Sequence, residues 1–199
     1  MRLILIRHGE TDWNRKKRYM GSADPDLNAT GILQARRLRR RMEDVQVDRV
    51  YCSPLRRAAH FARVVFGRRR PVSRKGFREM DFGVMEGLTY REGMSRYPKI
   101  YGDWLADPEN HTLPRGERMS HFRKRVMSSL RRVVAATPGG TVAVVTHGGV
   151  IRLILNEWVD KKDFWSDIPP LAGAHELHIR KEDGDAVRVS SHRLWVRSR

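Results

Sequence analysis

Arg2-Leu3-Ile4-Leu5-Ile6-Arg7-His8-Gly9 stands at the head of the sequence. Residues 3–6 are apolar without a break, whereas a strand with one wet face alternates apolar and polar side chains. The run therefore reads as a strand buried on both faces, as in a parallel sheet covered by helices. It stops on a cation, an imidazole and a glycine. Two later segments repeat this design. A strand expected over 47–52 runs into Ser53-Pro54-Leu55-Arg56-Arg57. The β-branched run Thr141-Val142-Ala143-Val144-Val145-Thr146 runs into His147-Gly148-Gly149.

Helical patterns fall between these strands, over about 31–42, 55–66, 89–97, 119–136 and 150–158. Thr30 is the expected N-cap of the first, and Asp24-Pro25-Asp26 reads as a turn before it. Residues 175–180 and 186–191 alternate well enough to be strands, with Asp183-Gly184 as their hairpin turn. Strands alternating with helices predict a three-layer α/β sandwich with a mainly parallel central sheet and a C-terminal β-hairpin. No repeat or linker interrupts 1–199, which reads as one domain. Ligands of such sheets bind beyond the carboxyl ends of the strands. Three strand ends thus deliver two histidines and several arginines to one edge.

Composition narrows the function. The chain has 199 residues, 40% hydrophobic and 32% charged, in keeping with a globular protein. The opening apolar run is too short for a signal peptide, and no stretch reaches the ~18 apolar residues that span a bilayer. Cys52 is the single cysteine, so no internal disulfide can form, and a cytoplasmic location is expected. The net charge is +17. In Ala35-Arg36-Arg37-Leu38-Arg39-Arg40-Arg41-Met42 the apolar residues keep helical spacing and leave the arginines opposite, which describes a solvated helix face. The other basic clusters, such as Arg68-Arg69-Arg70, are scattered and carry no nucleic-acid motif. The expected partner is a small anionic metabolite, with neither nucleic acid nor membrane.

Arg7-His8-Gly9-Glu10-Thr11, followed by Asn14, resembles the signature of the histidine phosphatase superfamily, in the branch that includes phosphoglycerate mutases. Ser53-Pro54-Leu55-Arg56-Arg57-Ala58, then Glu79-Met80-Asp81-Phe82-Gly83 with Glu86-Gly87, and finally Thr146-His147-Gly148-Gly149 resemble three further blocks in family order. The resemblance implies His8 as nucleophile and Arg7, Arg57 and His147 as phosphate ligands. It implies hydrogen bonds from Asn14 and the Gly148 amide, and Glu79 as general acid. It also implies a small helical cap over about 84–118.

Each implied role has a physical basis. Imidazole is nucleophilic only when neutral, and Arg7 and Arg57 are expected to lower the pKa of His8. Fixed cationic donors can replace a metal around the transferring phosphoryl group. Arginine binds such an oxyanion bidentately. Gly9 and Gly148 are expected to let the backbone approach the anion. The like charge of a bound phosphate dianion favours the protonated Glu79 carboxyl needed to expel an alcohol. The resulting carboxylate can then take a proton from the attacking water. By spacing alone Glu10, Asp81 and Glu86 compete with Glu79. Ser53 lacks a nucleophile-elbow context, and His60, His111, His121, His175, His178 and His192 read as packing, capping or surface residues. No metal ligand set and no cofactor motif is present.

The chain is compact between the Glu79 block and His147, which favours a phosphatase over a mutase. Arg78–Gly83 with Trp104-Leu105-Ala106-Asp107-Pro108 is similar to α-ribazole phosphatases, so α-ribazole 5′-phosphate is the expected ester. Phosphoglycerate mutase-type transfer and a weakly active phospho-ligand binder are the alternatives; a homodimer is admitted but not required. Tyr90, Tyr97, Tyr101 and Trp104 either stack on an aromatic leaving group or pack the cap. The chain departs from its relatives at Arg115-Gly116-Glu117-Arg118, often Gly-Gly-Glu-Ser, and at Met20, often Gln.

Overall fold

The computed structural model of the chain describes residues 1–67, 69–159, 170–181 and 187–194. Arg68 and the expected Asp183-Gly184 turn lie outside these residues. Among the described residues the sheet comprises β1 (Arg2–Arg7), β2 (Arg49–Cys52), β3 (Val72–Ser73), β4 (Thr141–Thr146), β5 (Ala174–Lys181) and β6 (Val187–Leu194). They lie in the order β3-β2-β4-β1-β5-β6. The first four are parallel, while β5 runs antiparallel to β1 and β6 antiparallel to β5. The sheet is therefore mixed, with a parallel part extended at one edge by the C-terminal hairpin.

Unbroken apolar strands need cover on both faces, and the alternation of side chains divides the core in two. Leu3, Leu5, Val142, Val144 and Leu177 pack on one face with α6 (Met119–Ala135) and α7 (Gly148–Val159). Ile4, Ile6, Ala143, Val145 and Cys52 pack on the other with α2 (Ala29–Arg41) and α3 (Arg56–Phe66). Helix, sheet and helix make the three layers. Cys52 is buried in the second cluster, where burial raises its thiol to about 11. The arginines of α2 all face solvent, while Gly31, Ala35 and Leu38 are buried.

Some local expectations are corrected. The N-cap of α2 is Asn28, not Thr30; its side chain accepts from the Gly31 amide at 2.9 Å. Asn caps better than Thr, and Glu10 holds Asn28 through its carbonyl and its carboxylate. Asp24-Pro25-Asp26 is irregular chain rather than a tight turn; its carboxylates accept from the Arg56 amide and from His60 and Arg56 side chains. Two further helices were not foreseen: the single-turn α1 (Asp12–Arg15) and α5 (Pro98–Ala106), which follows α4 (Tyr90–Arg96). Pro98 at the first position, with no amide to leave unsatisfied, is the signal for α5.

Candidate active site

Register brings the strand ends together. β1 pairs with β4 so that Arg7 stands opposite Thr146, and the next residue on each strand is a histidine. The His8 amide donates to the Thr146 carbonyl at 3.0 Å, which continues the ladder by one step. On the other side of β4, the Ser53 amide donates to Val145 O at 2.9 Å. His8, His147 and Ser53 therefore project from adjacent strand ends.

His8 is only 2% exposed. Its Nδ1 lies 2.7 Å from the Gly9 carbonyl oxygen, which can only accept, so the ring proton is assigned to Nδ1. The Nε2 lone pair is then free for a substrate. Burial first, and then the Arg57 and Arg7 charges, lower the His8 pKa well below its ordinary value. The sequence reading credited the arginines; removal from water acts more strongly.

The His147 ring packs edge-on to His8, with centroids 5.2 Å apart. Burial, helped by Arg57, His8 and Arg7, lowers its pKa well below the usual value as well. Its Nε2 lies 2.8 Å from Ser53 Oγ, and that oxygen accepts from the Leu55 amide at 3.2 Å. With one lone pair engaged, the serine hydroxyl is set to donate to Nε2, which leaves the proton of His147 on Nδ1. Among the described residues His147 Nδ1 and Arg57 Nε are buried without a hydrogen-bond partner. Two such donors at one strand edge suit an acceptor-rich ligand. The contact of Ser53 with His147 links segments 94 residues apart and leaves no local pattern in the sequence.

Arg57 is fully buried near the start of α3. Its Nη1 donates to Ala23 O at 2.7 Å and its Nη2 to Gly21 O at 2.9 Å. Glu86 holds the same loop from the other side, accepting from the Ser22 and Ala23 amides, both at 2.5 Å. Burial lowers both Arg7 and Arg57 to about 10, with Glu79 opposing the shift in each case. Both stay cationic at neutral pH. The Arg7 guanidinium lies over the start of α7; a Cβ on Gly148 would meet it at 3.4 Å, an ordinary contact, so Arg7 does not itself require a glycine there. A helix N-terminus presents free amides to an anion. Gly9 differs from expectation: a Cβ there would come within 2.7 Å of Gly31 O and 2.9 Å of Phe61. Its size is required by packing against α2 and α3.

Glu79 is buried, with its Oε1 accepting from the Met80 amide at 3.0 Å and its Oε2 from the Gly149 amide at 2.9 Å. A cavity of about 400 Å³ opens here, lined by Arg7, His8, Asn14, Glu79, Gly148 and Gly149. Arg57 and His147 are not part of this lining; the His147 ring lies against His8, which is. Glu10, Asp81 and Glu86 do not line the cavity and are engaged elsewhere, with Asn28, the Gly83 amide and the 22–23 amides respectively. Asn14 Oδ1 accepts from the Thr11 amide and hydroxyl in the capping box of α1, so its NH₂ remains the group able to donate to a ligand. The Thr11 hydroxyl also approaches Met20 Sδ at 3.4 Å, and Met20 lines the cavity.

The outer wall is aromatic. Tyr19, Phe82, Tyr90, Trp104 and Phe122 line it, with Lys17, Arg18 and Arg152 as cations. Tyr101 is fully buried and takes no part in the lining; it stacks on Trp104 and shares a 2.5 Å hydrogen bond with Tyr19. The four aromatics of the cap thus divide, Tyr90 and Trp104 facing the cavity, Tyr101 and Tyr97 packing the cap. Among the described residues no group of three or more His, Cys, Asp or Glu side chains is placed to hold a metal ion, and no helix is long and apolar enough to cross a membrane.

Comparison with known proteins shows the family. The model of the histidine phosphatase superfamily (branch 1) matches residues 3–192. The adenosylcobalamin/alpha-ribazole phosphatase of Escherichia coli (strain K12) is 37% identical over 157 residues, covering 78% of this chain and 77% of that protein. The metal-independent phosphoserine phosphatase of Arabidopsis thaliana is 31% identical over 211 residues, covering 92% and 88%. The crystal structure of the alpha-ribazole phosphatase from Shigella flexneri superposes with a TM-score of 0.84 at 30% identity, covering 95% of this chain and 94% of that one. With adjacent strand ends setting two buried imidazoles side by side, and a match running through nearly the whole sequence, the chain belongs to the histidine phosphatase superfamily.

Proposed function

We propose that the protein is a metal-independent phosphomonoesterase acting through a phosphohistidine on His8. The observation that carries this reading is the short contact of His8 Nδ1 with the Gly9 carbonyl, which turns the unprotonated Nε2 toward the ligand. Nε2 attacks phosphorus, the bond from phosphorus to the ester oxygen breaks, and the Glu79 carboxyl proton passes to that oxygen. Water then loses a proton to the Glu79 carboxylate as its oxygen attacks phosphorus. The P–N bond breaks, its electron pair returns to Nε2, and inorganic phosphate leaves. Arg7, Arg57, His147 Nδ1, the Asn14 amide and the N–H of Gly148 hold the equatorial oxygens throughout. No cofactor takes part, and the charge a metal would neutralise falls to the two arginines.

The aromatic outer wall selects the alcohol. Tyr19, Phe82, Tyr90 and Trp104 suit a large, flat, apolar group rather than the small zwitterion of serine. α-Ribazole 5′-phosphate has such a group in its benzimidazole and is our assigned substrate, in keeping with the names of the Escherichia coli and Shigella flexneri relatives. The lone buried Cys52 fits action in the cytoplasm on a small metabolite. The test is turnover of p-nitrophenyl phosphate in excess EDTA, with kcat/KM for α-ribazole 5′-phosphate, phosphoserine and 3-phosphoglycerate. Turnover that survives chelation and favours the nucleoside ester is expected. Loss of turnover with EDTA removes the metal-free mechanism, and preference for phosphoserine removes the substrate. Phosphate passed to phosphoglycerate without release makes the protein a mutase.

A further inference from the structure

Arg125 lies on α6, outside the cavity lining, and its guanidinium carries five N–H groups. All five are engaged. Nη1 donates to Gly76 O at 2.9 Å and Arg78 O at 2.7 Å. Nη2 donates to Glu79 O at 2.9 Å and Glu117 Oε2 at 2.7 Å, and Nε donates to Glu117 Oε1 at 2.7 Å. The cation also lies 4.9 Å from the Phe122 ring centroid. Glu117 in turn donates its own amide to Asp81 O at 2.9 Å. One side chain thus grips the chain just before and at Glu79, and its carboxylate partner is tied to the chain just after.

That grip matters because residues 78–82 belong to no strand or helix. The segment gains no register from a neighbour, so the position of the Glu79 side chain depends on contacts of this kind. Just upstream, Gly76 packs so closely on α6 that a Cβ would fall 1.8 Å from Ser129 Oγ and 2.7 Å from Arg125 O. The buried Thr146 hydroxyl donates to Phe77 O at 2.8 Å, tying the same stretch to the last residue of β4. The proton-donor segment is therefore referenced both to α6 and to the strand that presents His147. We infer that Arg125, braced by Glu117, is a positioning residue that sets where the Glu79 carboxyl meets the leaving-group oxygen. This rests on the reading of Glu79 as general acid. Lysine cannot replace the device, because an ammonium offers three donors on a single atom and no planar fork.

The test compares Arg125→Lys and Glu117→Gln with Glu79→Gln over a series of alkyl and aryl phosphates, with inorganic phosphate as a competitive inhibitor. General-acid assistance is worth roughly 10²–10⁴-fold for poor leaving groups and little for p-nitrophenolate. Arg125→Lys is expected to lower kcat/KM, which reports the steps through leaving-group departure, about 10- to 100-fold for alkyl phosphates and less than about 3-fold for p-nitrophenyl phosphate. Phosphate inhibition stays at the wild-type level, and adding Glu79→Gln removes any further effect of the lysine. Glu117→Gln shifts the leaving-group dependence the same way by a smaller amount, and it serves as the test if the lysine variant fails to fold by circular dichroism. If Glu79→Gln lowers kcat/KM for all esters alike, the acid assignment fails, independently of Arg125. If Glu79→Gln steepens the leaving-group dependence while Arg125→Lys and Glu117→Gln slow every ester equally or not at all, the positioning role is overturned.

Discussion

The floor and the outer wall of the cavity are built by different physics. The floor is made where parallel strands stop: His8 and His147 follow paired residues of β1 and β4, and every atom of their placement is referenced to the sheet. The wall is made by the loops that precede α4, by α4 and α5, and by Phe122 of α6 and Arg152 of α7. It is held by aromatic edges such as Tyr19 on Phe82 at 5.2 Å and by the ion pair of Arg18 with Glu92 at 2.8 Å, both of whose side chains are about a third exposed. Rigid, dry backbone geometry fixes charges and lone pairs; side-chain packing at a rim defines a shape. In the function proposed above, phosphoryl transfer, which depends on preorganised donors, belongs to the first, and choice of alcohol to the second.

The sharpest way to break this division is at the nucleophile. His8→Ala is expected to reduce kcat on every phosphate ester by roughly 10⁴-fold or more, with the wall intact. Trapping of labelled phosphate on the wild-type chain, lost in the variant, checks it. Residual turnover within tenfold of wild type would place the reacting group elsewhere.

A second test uses pH and asks whether the floor is as dry as the burial implies. The folded-state pKa values of His8 and His147 lie well below 6.5, the ordinary value that applies when the chain is unfolded. Below pH 6.5 the unfolded chain takes up protons at these positions and the folded chain does not. Their contribution to stability is therefore complete above pH 6.5 and declines as pH falls toward the folded-state values. The loss approaches about 1.4 kcal/mol per pH unit for each histidine. Urea unfolding at pH 7.5, 6.5 and 5.5, compared between wild type and His8→Gln, should show the shallower slope in the variant. Equal slopes would mean that His8 protonates freely in the fold.

The smallest effect is expected at the wall. Tyr90 lines the cavity but is 55% exposed, so Tyr90→Ala leaves the fold intact. It should lower kcat/KM for an aromatic nucleoside phosphate by about 3- to 10-fold, through KM, while kcat for p-nitrophenyl phosphate stays the same. A fall in kcat for both would tie the wall to the chemistry and dissolve the distinction.

How far the molecule can be read from its residues follows the same division. The floor was legible because a continuous apolar strand that ends in Arg-His-Gly is a local pattern, and because the rule about strand ends collects such patterns from remote parts of the chain. Glu79 is singled out by resemblance and not by spacing; that it lines the cavity while Glu10, Asp81 and Glu86 are engaged elsewhere appears only when each carboxylate is seen with its own partner. Ser53, Arg125 and the loop gripped by Arg57 and Glu86 were invisible in advance. Their hydrogen bonds span 46 to 94 residues or reach irregular backbone, and neither periodicity nor propensity encodes such contacts. Thr30 is the expected cap because the helix pattern begins at Gly31, whereas the observed cap is Asn28. The deciding contact, from Glu10, lies eighteen residues away.

The pairing of Arg7 with Thr146 has one more implication. In a sheet, sliding one strand by a single residue turns each of its side chains to the opposite face. Such a slip of β1 would thrust Leu3 and Leu5 among helices shaped for Ile4 and Ile6, and the same slip would carry His8 out of step with His147. Close packing deep in the molecule thus works as a gauge for the distance between the two buried imidazoles of the cavity floor. A misaligned copy is eliminated by its unstable interior before its faulty chemistry could matter, and the loops around the rim are left free to change.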